Sequence, residues 1–370
     1  MFQRLAATGE DTERAYEEQW RQLESGFWEQ IVSQGRIRQP RISLFFNHWL
    51  IATTGDEVVT TEVFRAFKRY LEESEVSLAK LLAEIVTQAG NYQALIELGE
   101  STGDVDRLGM FMYRTNAMGM EVTKPFAMWL TDPVEGPCPT EEIPRAVGCV
   151  ESWLVRRMLV GATTKAYNRV LLDLLDRLRS EPRERAGTVV ETFFRNQTSF
   201  TSYWPGDDEV RKALTEVPLY RKVPRARLRL LLEAIEDHLR GFTTPGAVRA
   251  GEQQVARSAY TVEHVMPQEW VAHWPLGGTD PVERDRLVHT LGNLTLLTQK
   301  FNSSVSNAKW TGTKGKRAAL DKHSVLLMNR DLVRRDDWTD EEIRSRTHEF
   351  IDIVLKVWPV PEGHEGRVVS

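Results

Sequence analysis

The sequence predicts a mainly α protein in which a long helical part precedes one small strand–loop–strand–helix unit. Apolar residues recur at helical spacing through most of residues 1–250, whereas strand-like alternation is confined to two short segments further on. The composition is that of a globular protein, because 41% of the 370 residues are hydrophobic and 27% are charged. A chain of this length can form two or three domains, each with its own core.

Helical periodicity is clearest in the first 250 residues. An early amphipathic helix is predicted from Tyr16 to Ile31, where apolar residues recur every three or four positions. The same pattern predicts further helices at Arg41–Trp49, Thr61–Glu73, Glu75–Leu98, Thr102–Met118, Glu141–Leu159, Ala166–Arg179 and Arg227–Leu239. Breaks near residues 132–139 and 243–246 divide the chain into a helical connector at 1–135, a second helical segment at 136–250 and a third domain at 251–370.

Two short strands are predicted in the third domain, at Tyr260–Val265 and Leu294–Thr298. The segment between them is rich in proline and glycine, and it leaves room for a short helix at about 280–290. Thr339 and Glu342 form the capping box of a final helix, which Pro359 ends. Loops as long as the one between the strands are uncommon unless they carry function, so a site is expected in this domain.

The sequence lacks the features of membrane and secreted proteins. It contains no apolar run near 18 residues, and its first residues have no apolar core before a cleavage site. Cys138 and Cys149 are the only cysteines, and two thiols in so long a chain are predicted to be reduced. These observations predict a cytoplasmic protein with no membrane partner.

Positive charge is concentrated in one stretch, although the net charge of the chain is −5. Residues 300–335 hold nine Lys or Arg and two acidic residues, which gives a local balance of 9 − 2 = +7. Such a block predicts a surface that binds a polyanion, with a solvated helix face as the alternative. The residues predicted to contact DNA phosphates are Lys300, Lys309, Lys314, Lys316 and Arg317.

The third domain also holds a residue set suited to phosphodiester hydrolysis. His264 follows Glu263 at the end of the first predicted strand, and Asn293 and Asn302 come at and beyond the start of the second. A neutral histidine can deprotonate water near pH 7, and one Mg²⁺ or Mn²⁺ ion prefers oxygen ligands such as the Glu263 carboxylate and the Asn302 amide. Neighbouring residues on a strand face opposite sides, so Glu263 and His264 can share one centre only if the strand ends or bends there.

The other polar residues of this region are given less specific roles. Asn293 follows a glycine and is predicted to hold the loop backbone at His264 through its side chain. Asn307 is an alternative to Asn302 as a metal ligand. His273 and His289 are predicted to be packing or surface histidines, with a supporting role beside the metal site as the alternative.

Three segments resemble the C-terminal HNH-type nuclease domain of GmrSD-like modification-dependent restriction enzymes: residues 260–268 (YTVEHVMPQ), 292–297 (GNLTLL) and 302–307 (NSSVSN). The resemblance implies a ββα-metal (HNH / His-Me finger) nuclease unit embedded in helices. In that unit His264 is the general base, Glu263 and Asn302 are the metal positions, and Asn293 is the scaffold. The implied activity is DNA nicking that leaves 5′-phosphate and 3′-hydroxyl ends. Similarity upstream, such as at residues 155–157, is weaker and matches the helical connector of these enzymes.

The resemblance also implies partners and a biological role. Members of the family usually begin with a ParB-like nucleotidase domain that senses modified DNA, so the chain is expected to be the effector part of a longer protein in a phage-defence system. An SspE-like, phosphorothioation-sensing effector is the expected subgroup, with the enzymes that target glucosylated hydroxymethylcytosine as the alternative. The alternatives are an RNA-cleaving nuclease of the toxin type and a non-catalytic helical docking module whose nuclease unit has decayed.

Overall fold

The computed structural model describes residues 12–24, 26–34, 37–74, 76–243, 248–272, 274–298, 308–323 and 325–367. Helix accounts for 62% and strand for 4%, which confirms the prediction of a mainly α protein. The chain divides into two compact units. The first comprises residues 1–100, 106–150 and 164–202, and the second comprises residues 101–105, 151–163 and 203–370.

The first unit is built from helices and one hairpin. Its helices are α1 (Thr12–Ala15), α2 (Gly26–Glu29), α3 (Arg41–Thr54), α4 (Val63–Glu73), α5 (Leu78–Glu100), α6 (Arg107–Met118), α7 (Lys124–Leu130), α9 (Tyr167–Arg179) and α10 (Ala186–Arg195). Helix α8 (Glu142–Leu159) begins in the first unit and ends in the second. Strands β1 (Ile31–Gln34) and β2 (Ile37–Pro40) pair antiparallel.

The early amphipathic helix predicted from Tyr16 to Ile31 is confirmed only in part. A π-helical turn, a 3₁₀ turn and the short helix α2 cover residues 16–24 and 26–29, but the chain enters β1 at Ile31, whose side chain is 56% exposed. The reason is tertiary: Trp28 is buried against the rings of Phe45 and Tyr92, with centroid distances of 5.4 and 6.2 Å. Packing of this aromatic cluster prevails over a continuous helix. The prediction that strands occur only in the third domain is wrong for the same segment.

The long helices of the first unit enclose a continuous apolar core. Phe45 of α3, Leu82 and Ile85 of α5, and Phe111 of α6 are fully buried. Helix α6 begins where the Asp106 carboxylate accepts a hydrogen bond of 2.7 Å from the Gly109 N–H, which satisfies one donor of its first turn. These helices pack through apolar faces, as their periodicity predicts.

The second unit surrounds a small two-stranded sheet with helices. They are α11 (Asp207–Glu216), α12 (Leu219–Lys222), α13 (Arg225–Leu239), α14 (Pro281–Leu287), α15 (Lys316–His323), α16 (Leu327–Val333) and α17 (Asp340–Val357). Strands β3 (Thr261–His264) and β4 (Leu294–Leu297) pair antiparallel, which confirms the two predicted strands. Buried tryptophans, including Trp270, Trp310 and Trp338, fill the core beside this sheet.

The predicted cap of the final helix is confirmed by a hydrogen bond, and a buried arginine holds the loop that precedes α14. The Thr339 hydroxyl accepts a bond from the Glu342 N–H at 3.3 Å and so caps α17, which ends shortly before Pro359. The buried ion pair between Arg284 and Asp340 (2.5 Å) joins α14 to the start of α17, and Arg284 also donates to the carbonyls of Trp274 and Leu276. The long loop before α14 is therefore held in place by one arginine.

Both cysteines, Cys138 and Cys149, are free thiols. Burial raises the pKa of Cys149 to about 12, so this thiol stays protonated and unreactive near neutral pH. No helix within the described ranges has both the length and the apolar character needed to cross a bilayer.

Candidate active site around His264

His264 lies at the end of β3, opposite Leu294 in the antiparallel register. Its side chain is 8% exposed, and its ring Nε2 lies 3.2 Å from Nδ1 of His289. The edge of the ring packs on Tyr220, with the two ring centroids 4.1 Å apart. Tyr220 also stacks on His289 at 5.8 Å, so the two imidazoles and the phenol form one compact cluster.

The electrostatic setting keeps both histidines neutral. Burial, followed by the charges of His289, Lys316, Arg225 and Arg221, lowers the pKa of His264 to about 3. Burial and the nearby Arg221 lower the pKa of His289 to about 4, with Asp285 acting in the opposite direction. At pH 7 each ring therefore carries one N–H and one lone pair, so one imidazole donates to the other across the 3.2 Å contact.

Glu263 lies on the other face of the strand. Val262 and His264 are buried, whereas Thr261 and Glu263 are partly exposed, as the alternation of a strand requires. The strand ends at His264. Glu263 and His264 can face one centre only where the strand ends or bends, so this requirement is met. Within the parts of the chain that the structure describes, no group of three or more His, Cys, Asp or Glu side chains could hold a metal ion. Asn302 and its alternative Asn307 lie outside the described residues.

Lys316 links Glu263 to the backbone of His264. Its ammonium group donates a hydrogen bond of 2.9 Å to the His264 carbonyl oxygen, and its side chain is buried. Burial lowers the pKa of Lys316 to about 8, while the Glu263 carboxylate acts in the opposite direction. Lys316, which its charge alone predicted to contact DNA, therefore lies within the His264 cluster and holds the backbone of His264.

Asn293 uses its whole side-chain amide to fix the turn after His264. Its Oδ1 accepts from the Met266 N–H at 2.8 Å and from the Trp338 indole at 3.0 Å. Its Nδ2 donates to the carbonyls of Met266 and Val288, each at 2.8 Å. Four hydrogen bonds are the full capacity of an amide side chain, and Asn293 is completely buried. The turn that positions His264 is therefore rigidly connected to β4 and to Trp338.

Helix α17 holds the start of β4 from the other side. Arg346 is fully buried and donates to the carbonyls of Gly292 (2.8 Å) and Leu294 (2.9 Å). A Cβ at position 292 would lie 2.2 Å from the Ile343 carbonyl oxygen, so only glycine allows the two backbones to approach this closely. The close approach of α17 therefore explains the glycine at position 292, and the four hydrogen bonds of the buried amide explain the asparagine at position 293.

The remaining predicted DNA contacts differ in accessibility. Lys309 and Lys314 are exposed. Arg317 donates to the Val333 carbonyl at 2.8 Å and pairs with Asp336 at 3.0 Å, so its guanidinium already has protein partners. Lys300 lies outside the described residues.

Sequence reasoning missed one side of the cluster. Arg221 and Arg225 are exposed, and both are close enough to lower the pKa values of His264 and His289. The Arg225 guanidinium lies 3.3 Å from the centroid of the Tyr220 ring. The signal was present in the sequence as four basic residues within 221–227, but nothing local connects this segment with a histidine more than thirty positions later.

Comparison with known proteins defines the class of this second unit. Residues 204–353 match the model of the family described as GmrSD restriction endonucleases, C-terminal domain. The match includes every residue of the cluster described above, and it confirms the resemblance predicted from the motifs. This part of the chain is therefore similar to the C-terminal domain of the GmrSD restriction endonucleases. No curated protein matches the chain.

Proposed function

We propose that the second unit is a metal-dependent DNA endonuclease of the HNH type with His264 as general base. The observation that carries the proposal is the neutral, buried His264 at the end of β3, held by Asn293 within a segment that matches a restriction endonuclease family. Deprotonation of water requires a lone pair on a group that is uncharged at the working pH. The low pKa of His264 provides this at neutral pH.

In this mechanism the histidine pair sets the tautomer of the base. His264 donates its Nε2–H to Nδ1 of His289, which leaves the lone pair on Nδ1 of His264 to accept a proton from water. The water oxygen then attacks phosphorus as the bond to the 3′ oxygen breaks. That oxygen takes a proton from a solvent water to become the 3′-hydroxyl, and His264 returns its proton to solvent. The approaching phosphate adds negative charge beside the imidazole, which raises the pKa of His264 toward the range in which a base is most effective.

The donor chemistry of Glu263 suits one hard divalent cation, Mg²⁺ or Mn²⁺. Its carboxylate is partly exposed next to the end of β3, and the Asn302 amide oxygen is proposed as the second protein ligand. When bound, the ion would offset charge on the phosphorane and on the departing oxygen. Asn307 is the alternative ligand to Asn302.

Exposed cations on two segments are proposed to hold the DNA backbone. Lys309 and Lys314 would contact phosphates on one segment, and Arg221 and Arg225 would do so beside Tyr220. Lys300, which lies outside the described residues, stays a further predicted contact. Contacts of this kind carry no base preference, and one centre cuts one strand, so the expected product is a nick with 5′-phosphate and 3′-hydroxyl ends.

Residues 1–135 and 136–250 are proposed as connector segments, and residues 251–370 as the part with the HNH chemistry. In this proposal the connector transmits a signal from an N-terminal sensor or nucleotidase domain, and the protein acts in the cytoplasm as the effector of a phage-defence restriction system. Phosphorothioated DNA is the proposed target of the sensor.

A plasmid relaxation assay tests the chemistry directly. With Mg²⁺ or Mn²⁺, the parent chain should convert supercoiled plasmid to nicked circles, and chelation should stop conversion. His264→Ala should lower the rate by roughly 100-fold or more, because a general base contributes at least that factor. His348→Ala, an exposed histidine on α17, is the matched control and should cleave like the parent.

Equal conversion by the parent and by His264→Ala would disprove the mechanism. Cleavage of RNA without cleavage of DNA would identify the toxin-type alternative. Cleavage of neither substrate with either metal would favour the docking module.

A further inference from the structure

We propose that Arg225 is a second catalytic residue of the His264 site, and that its guanidinium binds a non-bridging oxygen of the scissile phosphate in the transition state. The inference rests on the proposed nuclease function and adds a residue to it. A general contact with the DNA backbone holds substrate and transition state equally, whereas a cation at the scissile phosphate lowers the barrier to cleavage.

The Arg225 guanidinium is held in one place by Tyr220. Arg225 is the first residue of α13, and its guanidinium carbon lies 3.3 Å from the centroid of the Tyr220 ring. A terminal nitrogen of the same guanidinium donates to the Tyr220 carbonyl oxygen. The Tyr220 N–H in turn donates to the His289 carbonyl at 3.1 Å. Stacking and a hydrogen bond to one residue thus fix a side chain that would otherwise adopt many rotamers.

Arg225 is close enough to His264 for both to act on one phosphate. The Tyr220 ring centroid is 3.3 Å from the Arg225 guanidinium carbon and 4.1 Å from the centroid of the His264 ring, so that carbon and the His264 ring are at most about 7.4 Å apart. Charge-assisted hydrogen bonds to phosphate oxygens are about 2.8 Å long, so a phosphate bound to Arg225 lies beside the water that His264 deprotonates. Burial lowers the pKa of His264 and of His289, and the charge of Arg225 lowers both further, as this proximity requires.

The donors of Arg225 are available to an anion. The side chain is exposed, and within the described ranges its one hydrogen bond goes to the Tyr220 carbonyl. A guanidinium has five N–H donors in one plane, so enough remain for a bidentate bond to phosphate. Arg317 differs, because its guanidinium pairs with Asp336 at 3.0 Å. Arg225 is therefore both fixed in position and free to bind.

Such a cation suits the charge that develops during cleavage. Attack by water adds negative charge to the non-bridging oxygens of the phosphate, and a positive group already in place stabilises that charge without reorganisation. A planar guanidinium can bind two of these oxygens together, whereas an ammonium acts as a point charge. The geometry at Tyr220 thus favours arginine over lysine at position 225.

Arg249 provides a matched control for Arg225. It is also exposed, and its guanidinium carbon lies 4.7 Å from the centroid of the Phe242 ring. The neighbouring Ala250 N–H bonds to the carbonyl of Arg240, which directly follows the last residue of α13. Arg249 therefore lies near the opposite end of α13 from Arg225, about 20 Å along the helix. Substitution there removes the same charge and the same kind of ring contact away from His264.

Plasmid nicking at saturating enzyme, under single-turnover conditions, tests the proposal. Arg225→Lys keeps the charge but loses the planar fork, so nicking should slow about 100-fold. Its Kd for duplex DNA, measured by fluorescence anisotropy with Ca²⁺ in place of Mg²⁺, should change less than about threefold. Arg225→Ala should nick at least as slowly, and added guanidinium chloride, but not equal sodium chloride, should restore part of its rate. Arg249→Ala and Arg249→Lys should nick and bind like the parent.

A parental rate for Arg225→Ala at saturating enzyme would overturn the proposal and leave Arg225 as an ordinary backbone contact. A slow Arg225→Ala that guanidinium does not rescue, and that unfolds at lower urea than the parent, would also overturn it, because the loss is then structural. Failure of the parent to nick DNA would overturn the proposed function and this inference together. A parent that nicks, an inactive His264→Ala and a fast Arg225→Ala would overturn this inference alone.

Discussion

His264 in the second unit and His48 in the first are both buried, and burial lowers the pKa of each far below its ordinary value, to about 3 and about 4. Their neighbours differ. His264 contacts another histidine and a tyrosine, and several cations lie close by, whereas neither ring nitrogen of His48 is bonded to any described residue. Burial alone makes a neutral imidazole. In the proposed mechanism, the hydrogen-bonded partner and the surrounding positive charge are what would suit the neutral ring of His264 to take a proton from water beside a phosphodiester.

The largest expected effect concerns the rigid setting of His264. Asn293→Ala should lower the free energy of unfolding by about 4 kcal/mol, because it leaves four buried hydrogen-bonding groups without a partner at about 1 kcal/mol each. Urea denaturation followed by tryptophan fluorescence measures the change. Asn196→Ala, at an exposed position, is the control and should be nearly neutral. A loss below about 1 kcal/mol for Asn293→Ala would mean that the four bonds do not hold the turn.

The second prediction compares the two histidines through acid stability. Their pKa values are lower in the folded than in the unfolded protein, so the unfolded chain binds more protons between about pH 4 and pH 6.5, and stability falls as the pH falls through that window. Each buried histidine should cost the parent chain about 1.5 kcal/mol of unfolding free energy as the pH falls from about 6.5 to about 5. His48→Leu and His264→Leu each lack one of these groups, so each variant should lose about 1.5 kcal/mol less than the parent over this range.

Urea denaturation at a series of pH values measures this difference. The quantity to compare is the slope of the unfolding free energy against pH, because each substitution also changes the unfolding free energy at neutral pH. The exposed His348→Ala should keep the slope of the parent. If only one of the two variants reduces the slope of the unfolding free energy against pH, the two histidines do not share the same protonation behaviour. The stated similarity between them is then wrong.

A smaller effect is expected at the partner that distinguishes His264 from His48. His289→Leu should lower the plasmid nicking rate about tenfold, which corresponds to about 1.4 kcal/mol, because His264 loses the acceptor that fixes its tautomer. His289→Asn places an amide oxygen near the same position and should recover part of the rate. A His289→Leu enzyme as fast as the parent would show that the contact between the rings only contributes to packing.

The smallest effect concerns the predicted DNA contacts in residues 308–317. Lys309→Ala and Lys314→Ala should each reduce the slope of log Kd for duplex DNA against log salt by about 1, since each removes one exposed phosphate contact. Arg317→Ala should change the slope less, because its guanidinium is paired with Asp336 and bonded to the Val333 carbonyl. Fluorescence anisotropy at several salt concentrations separates these cases, and equal slopes for all three variants would contradict the assignment.

The sequence by itself determined the helical class, the two strands β3 and β4, the capped final helix and the segment similar to a restriction endonuclease. These features are local: a period of 3.6 or 2, a capping box and short motifs can be read without knowing any distant contact. It also singled out His264 and Asn293, because the Glu–His pair, the long loop, the second strand and a further asparagine occur together in one segment.

The tertiary structure decided what surrounds these residues. It brought His289, Tyr220 and the arginines of 221–225 to His264, buried Lys316, and divided the predicted first helix into short helical turns followed by a hairpin. It also buried His48 without a hydrogen-bond partner for either ring nitrogen among the described residues. These outcomes depend on burial, charge and packing between segments separated by tens of residues. No local pattern records such contacts, because their free energy exists only once the chain has folded.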